Sequence, residues 1–251
     1  MPDTTATESA GPDTTATESA GPDTTDPGSA AQGSTTAYRP TDRTVPSRSK
    51  QRASYDREVV HAILDEAYLC HLGFLRDGAP VVLPTLFGRV GERLYVHGST
   101  GSRPLRTVGQ ADPGLAVCLT VTHVDGLVLA RSAFHHSINY RSVVVHGVAR
   151  TVTDPEERRV ALDAIVDQVV PGRSRDSRPA DAKELAATAV IRLDLDEVSA
   201  KIRTGGPNDE PDDLSLPYWA GVVPLTHGYS APLPSDDLDP GVPVPDYLAG
   251  L

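Results

Sequence analysis

The chain has only two cysteines, one methionine and one tryptophan among its 251 residues. Cys70 and Cys118 each lie in an apolar, strand-like run, which favours buried free thiols over a disulfide between them. No CxxC pair or His/Cys spacing typical of a metal centre occurs, so the sequence predicts no metal-ion site. A Walker loop, a GxGxxG fingerprint, a GxSxG elbow and obvious paired carboxylates are missing as well. These absences exclude the commonest nucleotide-binding, hydrolytic and acid–base sites.

Long apolar segments are also missing. No run of about 18 apolar residues occurs, which excludes a predicted transmembrane helix. The N-terminus lacks the basic and apolar regions of a signal peptide. We therefore expect a cytoplasmic protein.

Basic residues are missing from both ends of the chain. Six acids precede the first basic residue, Arg39, and eight follow the last one, Arg203. The remaining 20 acids face all 23 Lys and Arg side chains, so residues 39–203 carry a net charge of +3, although the whole chain carries −11. This distribution argues against a nucleic-acid-binding protein, and the mildly basic body suits an anionic small ligand.

The ends of the chain have the composition of unstructured segments. Residues 1–30 repeat a decapeptide, GPDTTATESA, three times with small changes and almost no bulky apolar side chains. Such a segment cannot bury enough surface to offset the entropy of ordering. We predict a disordered acidic repeat and basic arm over residues 1–52, a folded domain over 53–228, and a proline-rich acidic tail over 229–251.

Alternating apolar residues and tight turns dominate the folded part. Asp77-Gly78 and Asp125-Gly126 predict two hairpin turns. Helices are predicted to begin at Asp56, at Asp154 and after Ser102. The strand segments are 68–75, 79–89, 94–98, 115–124, 127–133, 139–152 and 189–195. Several strands with few short helices predict an antiparallel, partly open barrel.

The stretch LYVHGSTGSRPLRT, residues 94–107, is the most informative segment. An alternating strand runs into a Ser-Thr-Gly loop, and Ser102 is a good N-cap for a helix with Pro104 in its first turn. Unpaired amide N–H groups at this helix start, beside Arg103 and Arg106, predict a phosphate site. An ordinary strand–loop–helix connection with solvated arginines is the alternative.

Five segments together resemble the FMN-binding split barrel. They are LCHLGFLRDGAPVVLPTLFGR, LYVHGSTGSRPL, GLVLARSAFHHSINYRSVVVHGVAR, VSAKIRTGGP and LPYWAGVVPL. The chain is most similar to the pyridoxamine 5'-phosphate oxidase-like group that includes nitroimidazole-resistance flavoproteins, over about residues 55–225. The resemblance implies a mainly β fold, an antiparallel split β-barrel with a few peripheral helices. It also implies a homodimer with one FMN per subunit at the interface.

The resemblance implies a set of cofactor-binding residues. Ser102 and Arg103 match the pair that holds the FMN phosphate, with the family's preceding Tyr-Thr near His97 and Gly98 and with Ser99 adjacent. The strand beside the flavin's pyrimidine edge matches Leu83, Pro84 and Thr85. Ser142 replaces a family glutamine, and Lys201 replaces a tryptophan, with Arg203 nearby. We also expect Trp219 at the dimer interface, close to the partner's ligand site, with simple core packing as the alternative.

The departures from the family pattern bear on the substrate. PTLFGR stands where the oxidase has its Arg-x-x-Leu-Leu-Lys signature, and the C-terminal Arg-x-His substrate motif is missing. The sequence therefore predicts an FMN-dependent oxidoreductase or reductase acting on a small organic substrate other than pyridoxamine phosphate, with NAD(P)H as one electron donor to consider. A split barrel in which heme replaces the flavin, with His146 as an axial ligand, is one alternative. A flavin-binding module without turnover is another.

Overall fold

The computed structural model describes residues 36–248, which contain nine strands and four α-helices. The strands are β1 (Ala53–Ser54), β2 (Leu69–Arg76), β3 (Ala79–Val90), β4 (Arg93–Ser99), β5 (Leu115–Leu129), β6 (Ser137–Thr151), β7 (Thr188–Asp194), β8 (Glu197–Arg203) and β9 (Gly221–Pro224). The helices are α1 (Arg57–Asp65), α2 (Arg103–Gln110), α3 (Pro155–Val169) and α4 (Ala182–Ala187). The disorder predicted for the decapeptide repeats lies outside the described residues.

Six antiparallel strands close into a ring in the order β6, β7, β4, β3, β2, β5 and back to β6. The long strand β6 also pairs with β8 along another part of its length, and β1 continues the sheet beyond β8. β9 pairs with the far end of β5. The mainly β, antiparallel split-barrel fold with a few helices is confirmed.

One of the two predicted hairpins is present. Asp77 and Gly78 both have positive φ angles, 52° and 76°, and they join β2 to β3 in the manner of a type I′ turn. The prediction for Asp125-Gly126 is wrong, because β5 continues through both residues with a register shift between Val124 and Gly126. A Cβ on Gly126 would lie 3.0 Å from the Val223 carbonyl oxygen, so this glycine lets β9 pack against the irregular strand.

Alternate residues of the ring strands fill its interior. Cys70, Leu72, Leu119, Val143 and Val145 are all buried there. α1 packs its own buried residues into the same core. Both cysteines are free thiols, as the sequence predicted. Cys70 is fully buried and Cys118 is half-buried. No helix among residues 36–248 is both long and apolar enough to cross a membrane.

The segment that precedes α1 packs on the barrel. Tyr38 is only 4% exposed, and its hydroxyl donates to Glu92 Oε2 at 2.8 Å. Its backbone N–H donates to the Tyr55 carbonyl at 2.8 Å. Arg43 forms an ion pair with Glu197 at the start of β8. Much of the basic arm therefore contacts α1 and β8, which places its positive charge beside the sheet.

Candidate functional site

The N-terminus of α2 differs from the other helix starts because its cap side chain is unused. Ser102 is the N-cap residue, yet its hydroxyl makes no hydrogen bond to the helix backbone. The other three α-helices are capped by an aspartate whose carboxylate accepts a backbone N–H: Asp56, Asp154 and Asp181. The first turn of α2 has no acid, and Arg103 and Arg106 are exposed there. This arrangement leaves a hydroxyl, helix N–H groups and two cations able to bind one anion.

A small cavity lies beneath α2. Leu83, His97, Gly98 and Ser102 are among the residues that line it, so the structure brings together four of the predicted site residues. Its volume of about 30 Å³ is room for one or two waters, not for a ring system. The His97 Nδ1 atom is buried and has no hydrogen-bond partner within the described range 36–248, and burial lowers the pKa of His97. His97 is therefore a neutral imidazole behind the α2 N-terminus.

The outer face of the sheet presents two parallel rows of residues that cross five strands. In-register partners share a face of a sheet. The first row consists of Pro84, His71, Thr120, Val144 and Ser199. The second row consists of Val82, Gly73, Cys118, His146 and Glu197. Most of these side chains are small. The surface between His71 and His146 therefore has few protruding side chains and can accept a flat ligand.

The structure separates seven of the eight histidines, all except His227, by their partners. Four are engaged by protein groups: His61, His123, His135 and His136. His97 faces a cavity too small for a macrocycle. His71 and His146 lie on the outer sheet face and make no hydrogen bond among residues 36–248. Burial, with a smaller contribution from Arg43, lowers the pKa of His146 and so favours the neutral imidazole that binds metals.

The predicted cofactor residues fall into two groups within one subunit. Leu83 lines the cavity beneath α2 and shares the inner face with Thr85, whereas Pro84 between them lies on the outer face of β3. Ser142 and Lys201 are in-register partners on β6 and β8. β3 and β6 are three strand spacings apart along the sheet, about 14 Å at the usual interstrand distance. The predicted residues at α2 and the Ser142–Lys201 pair therefore lie on different strands, and their joint role in binding one flavin stays a prediction.

Trp219 lies on the surface, not in the core. Its side chain is 64% exposed, and its ring lies over Gly221, where a Cβ would be 3.0 Å from the ring. Other exposed apolar side chains come from the segments near β9 and the adjoining ends of β5 and β6: Leu127, Phe134, Ile138, Tyr218 and Val223. The interface role of Trp219 stays a prediction.

Sequence reasoning considered His71 only as one of many histidines and passed over Thr120 and Val144. The available signal was strand alternation, which shows that such residues face outward but not which strand lies beside them. Within residues 36–248, no cluster of three or more His, Cys, Asp or Glu side chains is arranged to hold a metal ion.

Comparisons with known proteins identify the family and similar folds. Residues 56–202 match the family model described as pyridoxamine 5'-phosphate oxidase. The solved flavocytochrome Anf3 from Azotobacter vinelandii is 40% identical, with a TM-score of 0.78, over 85% of this chain and 98% of its own. The solved FAD and heme binding protein from Mycobacterium smegmatis is 41% identical, with a TM-score of 0.74, over 79% of this chain and 96% of its own. A search of curated proteins gives no match.

Proposed function

Because the chain belongs to the pyridoxamine 5'-phosphate oxidase family, we propose that it is a flavin-dependent oxidoreductase that holds a heme as well as the flavin. The main support is its similarity, at 40% and 41% identity over most of both chains, to a flavocytochrome and to an FAD and heme binding protein. The alternative derived from the sequence was a barrel in which heme replaces the flavin. The two similar proteins favour both groups together.

The α2 N-terminus supports the flavin part of the proposal. The free Ser102 hydroxyl, the helix N–H groups and Arg103 suit the phosphate that FMN and FAD share. The sequence predicted FMN, whereas FAD is named for one of the similar proteins, so the proposal is for a flavin of either kind. Extraction of the cofactor and its chromatography would distinguish the two.

The outer sheet face supports the heme part. Its small side chains leave room for a flat macrocycle, and His71 and His146 make no hydrogen bond to any other part of residues 36–248, so either ring could serve as an axial ligand. We favour His146, because its surroundings stabilise the neutral imidazole. When bound, a flavin and a heme supply two-electron and one-electron transfer. The residues of this chain bind and orient those groups.

A homodimer completes the proposed site. The two groups of predicted flavin residues lie on different strands of one subunit, Leu83 and His97 on β3 and β4 and Ser142 and Lys201 on β6 and β8. The exposed apolar surface around Trp219 is the sort of patch that a partner covers. We propose that a second copy docks there and brings its Ser142 and Lys201 toward the remainder of the flavin, away from the phosphate that α2 of the first subunit holds.

The absorption spectrum of the purified full-length protein tests the proposal. We expect flavin bands and a Soret band together, and reduction of both by NADH or NADPH would show turnover. Flavin bands alone would refute the heme part, and a Soret band alone would support the replacement of flavin. A protein that binds neither FMN nor FAD on reconstitution would refute the proposed function.

The axial ligand is tested by substitution. His146→Ala should lose or shift the Soret band and leave the flavin bands intact. His135→Ala, which removes a surface histidine paired with Glu210, is the matched control. If the Soret band is lost only in His71→Ala, the ligand is His71 and our choice of His146 is wrong. Sedimentation of the same samples checks the dimer.

A further inference from the structure

Four basic residues lie on neighbouring segments at the edge of the sheet: Lys50, Arg52, Lys201 and Arg203. Arg52 directly precedes β1, whose Ala53 pairs with Lys201 on β8. Arg203 lies two residues further along β8, so both side chains point to the same face. We call these four residues the β8 basic cluster. None of its members forms an ion pair within residues 36–248, although most other arginines of the body do.

Arg203 makes this cluster unusual because it is buried without a negative partner. The side chain is 6% exposed. Its guanidinium donates only to neutral oxygens, those of Asn139, Gly205 and Gly206. Burial and the nearby Arg52 lower the pKa of Arg203. Asp209, the first acid in the chain after Arg203, pairs with Arg131 instead.

Two other half-buried arginines of the described chain are paired with acids. Arg131 pairs with Asp209, and Arg141 is held between Glu66 and Asp125. A buried guanidinium cannot lose its proton, so its desolvation must be offset by a negative group. Lys201 and Arg52 add further positive charge beside it. This edge of the sheet therefore concentrates positive charge that no acid among residues 36–248 pairs with, which suits an anion.

We propose that the β8 basic cluster binds a carboxylate or phosphate group of a bound ligand. Arg203 holds the Gly205-Gly206 loop and supplies a fixed charge, while the more exposed Lys201 and Arg52 reach the anion. The cluster lies on different strands from the phosphate site at the α2 N-terminus, so it serves a second anionic group. This inference rests on the proposed function, in which a heme propionate and the additional phosphate of FAD are the two sources of such a group.

The test uses the full chain freed of cofactors and the double variant Arg52→Met/Lys201→Met. Arg203 is left in place, because its loop contacts support the fold. Arg175→Met/Lys183→Met is the control, since it removes two exposed cations elsewhere. Each protein is titrated with heme and heme dimethyl ester, and with FAD and FMN. Loss of charge-assisted contacts should weaken binding of the anionic probe by roughly 10- to 100-fold, and the control should match the wild type.

The probes identify the source of the anion. If heme binding weakens and heme dimethyl ester binding does not, the group is a propionate. If FAD binding weakens and FMN binding does not, the group is the additional phosphate. Unchanged affinities for all four probes would overturn the inference and leave the proposed function standing. A double variant that changes only the sedimentation would also overturn it, because the anion would then be an acid of a second copy. A wild type that binds neither flavin nor heme would overturn both.

Discussion

Ser102→Ala and Asp154→Ala should have opposite effects on stability and on flavin binding. Both residues are N-caps, but only the Asp154 carboxylate accepts a helix N–H, from Glu157 at 2.8 Å. The Ser102 hydroxyl makes no such bond. If the chain keeps Ser102 for a phosphate, its hydroxyl contributes to binding and not to the fold.

The expected magnitudes follow from these contacts. Asp154→Ala removes a working cap and should lower the free energy of unfolding by about 1 kcal/mol, with no change in flavin affinity. Ser102→Ala removes no bond in the cofactor-free protein, so its free energy of unfolding should stay within about 0.5 kcal/mol of the wild type. A lost hydrogen bond to a charged phosphate is worth about 1.5–3 kcal/mol, which raises the flavin Kd by roughly 10- to 100-fold.

Two measurements on the same samples decide the matter. Urea denaturation of the cofactor-free proteins gives the free energy of unfolding, and quenching of flavin fluorescence on titration gives the Kd. The reasoning is refuted if Ser102→Ala destabilises the cofactor-free protein as much as Asp154→Ala does while its flavin Kd is unchanged. In that case Ser102 would be an ordinary cap.

Three further substitutions and one labelling experiment test other parts of the structure. Arg103→Ala should raise the flavin Kd by roughly 10-fold or more, and purification with full cofactor occupancy would contradict the phosphate site. Trp219→Ala should shift the sedimentation toward the monomer without lowering the melting temperature of the subunit, because the side chain is exposed. Tyr38→Ala should cost about 3–5 kcal/mol in urea denaturation, and Tyr229→Ala, at an exposed position, should cost little. Burial raises the pKa of Cys70 to about 12, so its thiol stays protonated and should resist alkylation at pH 8 until the protein is unfolded. Rapid labelling in the native state would contradict that burial.

Local patterns predicted the parts of the fold that neighbouring residues control. The alternation of apolar and polar residues placed most strands within a few residues of their observed bounds. Asp77-Gly78 turned as expected because both residues adopt the positive φ angles that a two-residue hairpin requires. The caps at Asp56 and Asp154 were also readable, since a cap bonds to an N–H only three residues away.

Ser102 illustrates which features of the candidate site the local sequence could predict and which it could not. The sequence identified it as a helix start beside two arginines, which is information held within five residues. Its unused hydroxyl is visible only in the structure. The same holds for His97, whose lack of a partner depends on the packing of α2 over β4.

By itself, the sequence determined the mainly β class, the family and the helix start that suits a phosphate, because each depends on short-range patterns or on a resemblance. Only the tertiary structure determined which residues from distant segments lie next to each other. β5 continues through Asp125-Gly126 because β9, about a hundred residues later, packs against it. The separation of Pro84 from Ser142 and Lys201, and the lack of an acid beside Arg203, follow from strand order and register. Those are contacts between distant segments, and no local propensity specifies them.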